Sequence, residues 1–264
     1  MARKLKKSVA SFFTCGNMIC GYLSMISVVN GDFLKASWLL AIAIVLDMMD
    51  GRIARITNTT SSFGVQLDSL SDLVSFGVAP SLMMYQFILR DLDKIGIAIA
   101  VLLVLCSALR LARFNVIAKR SAAVHGFFVG LPTPASAGLL VFFVLSYELS
   151  IRSLALKAAP ILIKSVPLLL GMMPVVMIVL SLLMVSNLPY VSFKKIKFSC
   201  YEKFNLLVMI LLLICVFVWD IVSSIVFMLF FVYILSGMCG YVIRLWKNLR
   251  KIYLKKVGDV DVGD

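Results

Sequence analysis

Charged residues are scarce in this sequence: they fill 15% of its 264 positions, and only 13 of them are acidic. Soluble domains carry about a quarter. With 62% hydrophobic residues and a mean hydropathy of +1.04, the chain has more apolar surface than a soluble fold of this length can enclose. A lipid bilayer is therefore its expected solvent. Histidine is nearly absent, with His125 alone in a stretch read as a solvated loop. The cysteines, Cys15, Cys20, Cys106, Cys200, Cys215 and Cys239, lack metal-ligand spacing and read as small buried hydrophobes. No A-x-A cleavage pattern follows the first apolar stretch, so that stretch is expected to remain as a helix behind its basic start. The net charge of +13 comes without aromatic–basic interleaving or a recognition motif, which argues against a nucleic-acid partner.

What the chain has in abundance is apolar runs long enough to cross about 30 Å. They cover roughly 8–29, 33–50, 64–89, 95–117, 133–150, 160–186, 204–219 and 221–243. The last two meet at Trp219-Asp220, where one long broken helix is the alternative. The expected class is all-α: a polytopic membrane bundle of eight spans with no soluble domain and no internal repeat. Eight spans place both termini on one side, and that side collects 20 of the 26 Lys and Arg residues. Only Lys35, Arg90, Lys94, Arg152, Lys157 and Lys164 fall opposite. The positive-inside rule then puts both termini in the cytoplasm of a bacterial-type inner membrane. The run Arg244–Lys256 reads either as an anchor of the same kind or as a contact for anionic lipid head groups.

Ionisable residues inside apolar segments are expensive and point to function. Asp47, Asp50, Asp68 and Asp72 fall within 26 positions. The first pair is three apart and the second four apart, so each pair projects from one helix face. The stretch Arg52 to Phe63, which includes Thr57 to Ser62, is expected to turn the chain back. All four carboxylates then converge at the cytoplasmic rim. Their mutual repulsion calls for cations, and Arg52 and Arg55 are too few to supply the charge. Oxygen-only ligation suits Mg²⁺ or Mn²⁺, and four aspartates suffice for a two-metal site suited to phosphoryl chemistry. Gly51 and Ala54 keep the neighbourhood open, and Gly64 permits close helix approach.

These residues resemble the CDP-alcohol phosphatidyltransferase signature, D-x2-D-G-x2-A-R-x8-G-x3-D-x3-D. Asp47, Asp50, Gly51, Ala54, Arg55, Gly64, Asp68 and Asp72 match it at every position. The resemblance implies a six-helix core over roughly 1–190, with additional membrane helices over 191–246 and a basic cytoplasmic tail over 247–264. It implies that Asp47, Asp50 and Asp68 hold one metal and that Asp47, Asp68 and Asp72 hold the other. Asp72 would be the general base, and Gly51, Ala54, Arg55 and Gly64 would line the CDP pocket. It further implies CDP-diacylglycerol as donor, CMP as leaving group, a membrane lipid product and a homodimer.

The acceptor alcohol must be read outside that signature. Ser107 to Asn115, Phe128 to Pro134 and Asn17 to Gly21 are similar to the branch of the family that uses L-serine. Arg110 and Arg113, three apart at the end of the fourth span, can face the cluster and grip a carboxylate or phosphate; interfacial anchoring is the other reading. Asn17 either touches the nucleotide or hydrogen-bonds a neighbouring helix. Pro132 and Pro134 set the entry into the fifth span. The rival acceptors are glycerol 3-phosphate, an inositol compound and choline. A divalent-cation transporter is the rival class, but its site belongs near the bilayer midplane rather than at the rim.

Overall fold

The computed structural model describes residues 2–56, 62–120, 127–154, 160–186 and 189–191, together with 226, 227, 229–232 and 234. Six helical runs cover most of these residues, one for each of the first six expected spans. They are α1 (Ala2–Val29), α2 (Phe33–Ile56), α3 (Ser62–Asp72) continuing into α4 (Ala79–Phe87), α5 (Asp93–Arg120), α6 (Thr133–Leu154) and α7 (Pro160–Val185). The expected seventh span, the basic tail, His125 and Cys200, Cys215 and Cys239 lie outside the described residues, as does most of the eighth span.

Local chemistry sets the boundaries. Gly31, at φ 77°, ends α1 in the left-handed region that a side chain resists. Its N–H donates to the Val28 carbonyl, and the Asp32 N–H reaches back to the Ser27 carbonyl, which closes a Schellman turn. Asp32 then caps α2 by accepting the Lys35 N–H at 3.0 Å. At the start of α6 the Pro132 carbonyl accepts the N–H groups of Ala135 and Ser136.

Three features depart from expectation. Helix α2 continues six residues past Asp50, to Ile56, because hydropathy marks where lipid ends and not where a helix must end. The third run is not one α-helix. Leu73–Val78 forms a π-helical segment, closed by the Ala79 N–H donating to the Val74 carbonyl. Its cause is Pro80, which lacks an N–H for the Phe76 carbonyl and whose ring would crowd it in a regular turn. Finally, a short ribbon accompanies the otherwise helical bundle, whose all-α class holds. Phe127–Val129 (β1) pairs antiparallel with Pro189–Val191 (β2), joining the segment before α6 to the segment after α7.

The bundle packs α1 on α2, α2 on α6, and α5 on α7, with the α3–α4 run against α1 and α5. Leu40, Met83, Met84, Leu103, Leu139, Leu140 and Met177 fill the centre. Phe230, one of the described residues of the last apolar stretch, stacks on Phe142 of α6 at 5.9 Å between centroids. Small residues bring helices close, as in membrane bundles generally. Ser24 donates to the Ala36 carbonyl at 3.0 Å, and Ser81 to that of Ala100 at 2.7 Å.

The outside of the bundle is apolar. Phe12, Ile19 and Ile26 on α1, Ile97, Val101, Leu105 and Leu109 on α5, and Leu182 on α7 are exposed. Phe12–Val29 and Leu89–Ile117 are apolar and long enough to cross a bilayer. Together these features fit a membrane protein. Of the described cysteines only Cys106 is buried; Cys20 is half-buried, and Cys15 faces outward with the apolar surface.

Gly21 measures how tightly α1 is seated. A Cβ there would stand 2.9 Å from the Ser75 Cα, a backbone atom that cannot swing aside. Gly21→Ala is expected to lower the thermal unfolding midpoint in detergent, consistent with an overpacking cost of about 1–3 kcal/mol. Gly171→Ala, whose Cβ would meet nothing within 4 Å, should leave the midpoint unchanged or slightly raised. Equal midpoints in the two variants would refute the close seating.

Candidate active site

The acidic residues occupy two facing helices. One turn of α2 carries Asp47 and Asp50, and one turn of α3 carries Asp68 and Asp72. Carboxylate oxygens of Asp47, Asp50 and Asp68 all lie within 4.8 Å of one another. Asp72 lies one turn beyond Asp68 on the same helix, near enough for its charge to interact with those of Asp47, Asp68 and Asp50. Ionised carboxylates this close repel one another unless a cation lies among them.

The four groups are not equally open. Asp50 and Asp72 are buried, whereas Asp47 and Asp68 are half-buried and form the open side of the cluster. The Asp72 Oδ1 atom is sealed from the surface and has no hydrogen-bond partner. A buried carboxylate oxygen left in this state is costly unless a further group completes it. The donor set, with oxygen ligands only, suits a hard divalent cation.

Helix α1 forms another wall. The Thr14 hydroxyl donates to Asp50 Oδ2 at 2.9 Å, and the Ser71 hydroxyl donates to the Thr14 carbonyl at 3.0 Å. One turn further, Ser75 donates to the Asn17 carbonyl at 3.0 Å. The Asn17 side chain is fully buried, and neither its amide nitrogen nor its amide oxygen has a partner. On the far side of α3, the Asn115 amide donates to the Ser69 hydroxyl at 2.9 Å, tying α5 to the residue beside Asp68. None of Thr14, Ser69, Ser71 and Ser75 is distinguished by the sequence. Their only signal is a hydroxyl in an apolar helix, which is common, and their partners are 36 to 58 positions away.

The remaining sequence-selected residues lie on α2, α3 and α5. Gly51 and Gly64 are half-buried on α2 and α3, and the backbones of Ala54 and Arg55 complete the last turns of α2. Arg110 is buried, and its Nη1 donates to the Thr133 hydroxyl at 2.6 Å, at the start of α6. Arg113 donates from Nη1 to the Val185 carbonyl at 3.1 Å, at the end of α7. These bonds tie the arginine pair to the corner where α5, α6 and α7 meet.

The CDP-alcohol phosphatidyltransferase family model matches residues 7–166. That range contains all four aspartates, the two arginines and the wall built by α1. The chain is 39% identical over 221 residues to the CDP-diacylglycerol–serine O-phosphatidyltransferase of Helicobacter pylori strain J99, covering 83% of this chain and 85% of the relative. It is 41% identical over 128 residues to the protein of that name from Methanocaldococcus jannaschii, covering 47% of this chain and 59% of the relative. With the Bacillus subtilis protein of the same name it shares 36% identity over 140 residues, 53% of this chain and 77% of the relative. With a match over more than half its length and a relative aligned over most of it, the chain belongs to the CDP-alcohol phosphatidyltransferase family.

Proposed function

We propose that this protein transfers the phosphatidyl group of CDP-diacylglycerol to the hydroxyl of L-serine, releasing CMP. The observation that carries the proposal is the convergence of Asp47, Asp50 and Asp68, with Asp72 one turn beyond Asp68, in a chain 39% identical to a relative named for that reaction. Asp47, Asp50 and Asp68, together with Asp72, would hold Mg²⁺ or Mn²⁺ as a two-metal site. When bound, such ions neutralise a diphosphate and stabilise the departing phosphate.

The chain's own groups divide the remaining work. The serine hydroxyl oxygen forms a bond to the phosphorus that carries diacylglycerol, the bond from that phosphorus to CMP breaks, and the hydroxyl proton passes to Asp72. Its buried, unpartnered Oδ1 supports the role of general base. Asn17, Gly51, Ala54, Arg55 and Gly64 line the CDP pocket, and the unpartnered amide of Asn17 supports its part in that lining. Arg110 and Arg113 take the serine carboxylate and a substrate phosphate. Thr133 supports the arginine role by fixing one edge of the Arg110 guanidinium.

The same reading makes the protein a multi-pass enzyme of a bacterial-type inner membrane, with its termini and active site cytoplasmic. Residues 1–190 form the six-helix core, two further spans over 191–246 follow it, and 247–264 form a basic tail. It acts as a homodimer.

Purified protein supplied with CDP-diacylglycerol, Mn²⁺ or Mg²⁺ and a panel of alcohols is expected to release CMP only with L-serine, and chelator should abolish the release. Release driven instead by glycerol 3-phosphate, an inositol compound or choline would replace the acceptor and leave the class intact; full activity in chelator would remove the metal site.

Asp72→Asn should lower turnover by about 10²–10⁴-fold, the range typical of a lost general base, with binding of CDP-diacylglycerol largely kept. Near-normal turnover would take the base role from Asp72. Arg110→Ala should raise the serine KM about tenfold or more, in line with the loss of a charge-assisted hydrogen bond. An unchanged serine KM in both Arg110→Ala and Arg113→Ala would move the acceptor site elsewhere.

A further inference from the structure

Asp50 is held by a residue outside its own helix. Thr14 is buried on α1, and its hydroxyl occupies Asp50 Oδ2 at 2.9 Å. A carboxylate offers about four lone-pair directions. A neutral donor on one of them restricts the rotation of the group and leaves the others available on the side where Asp47 and Asp68 approach.

Thr14 is itself held. Its carbonyl accepts from Ser71, a fully buried side chain on α3 adjacent in sequence to Asp72. The chain of contacts therefore runs from α3 through α1 to α2 and joins both acidic helices through one threonine. Ser75 repeats the link to the Asn17 carbonyl one turn along, so α1 cannot tilt about the Ser71 contact alone. The π-helical segment that begins at Leu73 keeps Ser75 on the α1 side.

We infer that Thr14 is a positioning residue for the cation site, its hydroxyl orienting the Asp50 carboxylate and its carbonyl locking α1 to the helix that carries Asp68 and Asp72. The inference rests on the proposed metal-dependent reading of the four aspartates. Groups that orient ligands in this way typically contribute 10–100-fold to metal affinity.

The test is Mn²⁺ binding by calorimetry, using full-length protein in detergent without CDP-diacylglycerol. Thr14→Val keeps the shape and removes the donor; it should weaken Mn²⁺ binding about tenfold or more, while Thr14→Ser, which keeps a hydroxyl, should stay within about threefold of the wild type. In turnover, Thr14→Val should need more Mn²⁺ for half-maximal rate and regain most of its kcat at saturating metal. Wild-type Mn²⁺ affinity in Thr14→Val would overturn the inference. So would equal weakening in Thr14→Ser and Thr14→Val, because the effect would then lie in packing and not in the hydroxyl. Should Thr14→Val fail to fold, Thr14→Ala is held to the same criteria. A wild-type protein that binds no Mn²⁺, or an Asp50→Asn variant that binds it normally, would overturn the metal reading itself and the role of Thr14 with it.

Discussion

Four carboxyl groups gathered at the edge of a low-dielectric bundle repel one another, and the rest of the structure has to overcome that repulsion. Asp47 and Asp50 are spaced by one turn on α2, Asp68 and Asp72 by one turn on α3, and the two turns face each other. Left alone, such helices would separate or keep their carboxyl groups protonated. The packing removes the first option. Helix α1 lies against both acidic helices, hydrogen-bonding the carboxylate on one and receiving serine hydroxyls from the other. These contacts hold the two acidic turns together through protein groups alone.

The same economy holds on the proposed acceptor side. Arg110 is nearly inaccessible, and a buried guanidinium is tolerated only when its donors are used. One goes to Thr133 at the first turn of α6. A carboxylate or phosphate arriving there would meet a fixed cation, which suits an acceptor carrying its own negative charge. Choline carries none and fits this corner least well.

Much of this was legible in the sequence, and the illegible parts share a cause. Spacings of three and four between aspartates translate directly into shared helix faces, so the pairing of Asp47 with Asp50 and of Asp68 with Asp72 followed from local geometry. Apolar runs located six helices, yet they misplaced the end of α2, since a helix carrying Arg52 and Arg55 can outlast its membrane-facing part. The ribbon between Phe127–Val129 and Pro189–Val191 escaped notice because each strand is three residues long and its partner lies some 60 positions away. Thr14 escaped for a similar reason. A threonine in an apolar helix announces nothing until its partner on another helix is known. Whatever depends on two distant segments meeting was invisible; whatever depends on one turn of helix was not.

The π-helical segment is the exception that a local reading should have caught. Pro80 stands in the middle of the third apolar run, where a regular helix would need its N–H and the space its ring occupies. The chain accommodates it by widening the turn over Leu73–Val78, immediately after Asp72. One extra residue in a helical turn rotates everything beyond it by about 100° relative to what came before. The polar face of Asp68, Ser71, Asp72 and Ser75 is thereby uncoupled from the packing face of α4, where Ala79, Met83 and Met84 enter the core. An unbroken α-helix would have to satisfy both faces with one periodicity. The proline lets a single run of helix serve the polar cluster at one end and the hydrophobic core at the other.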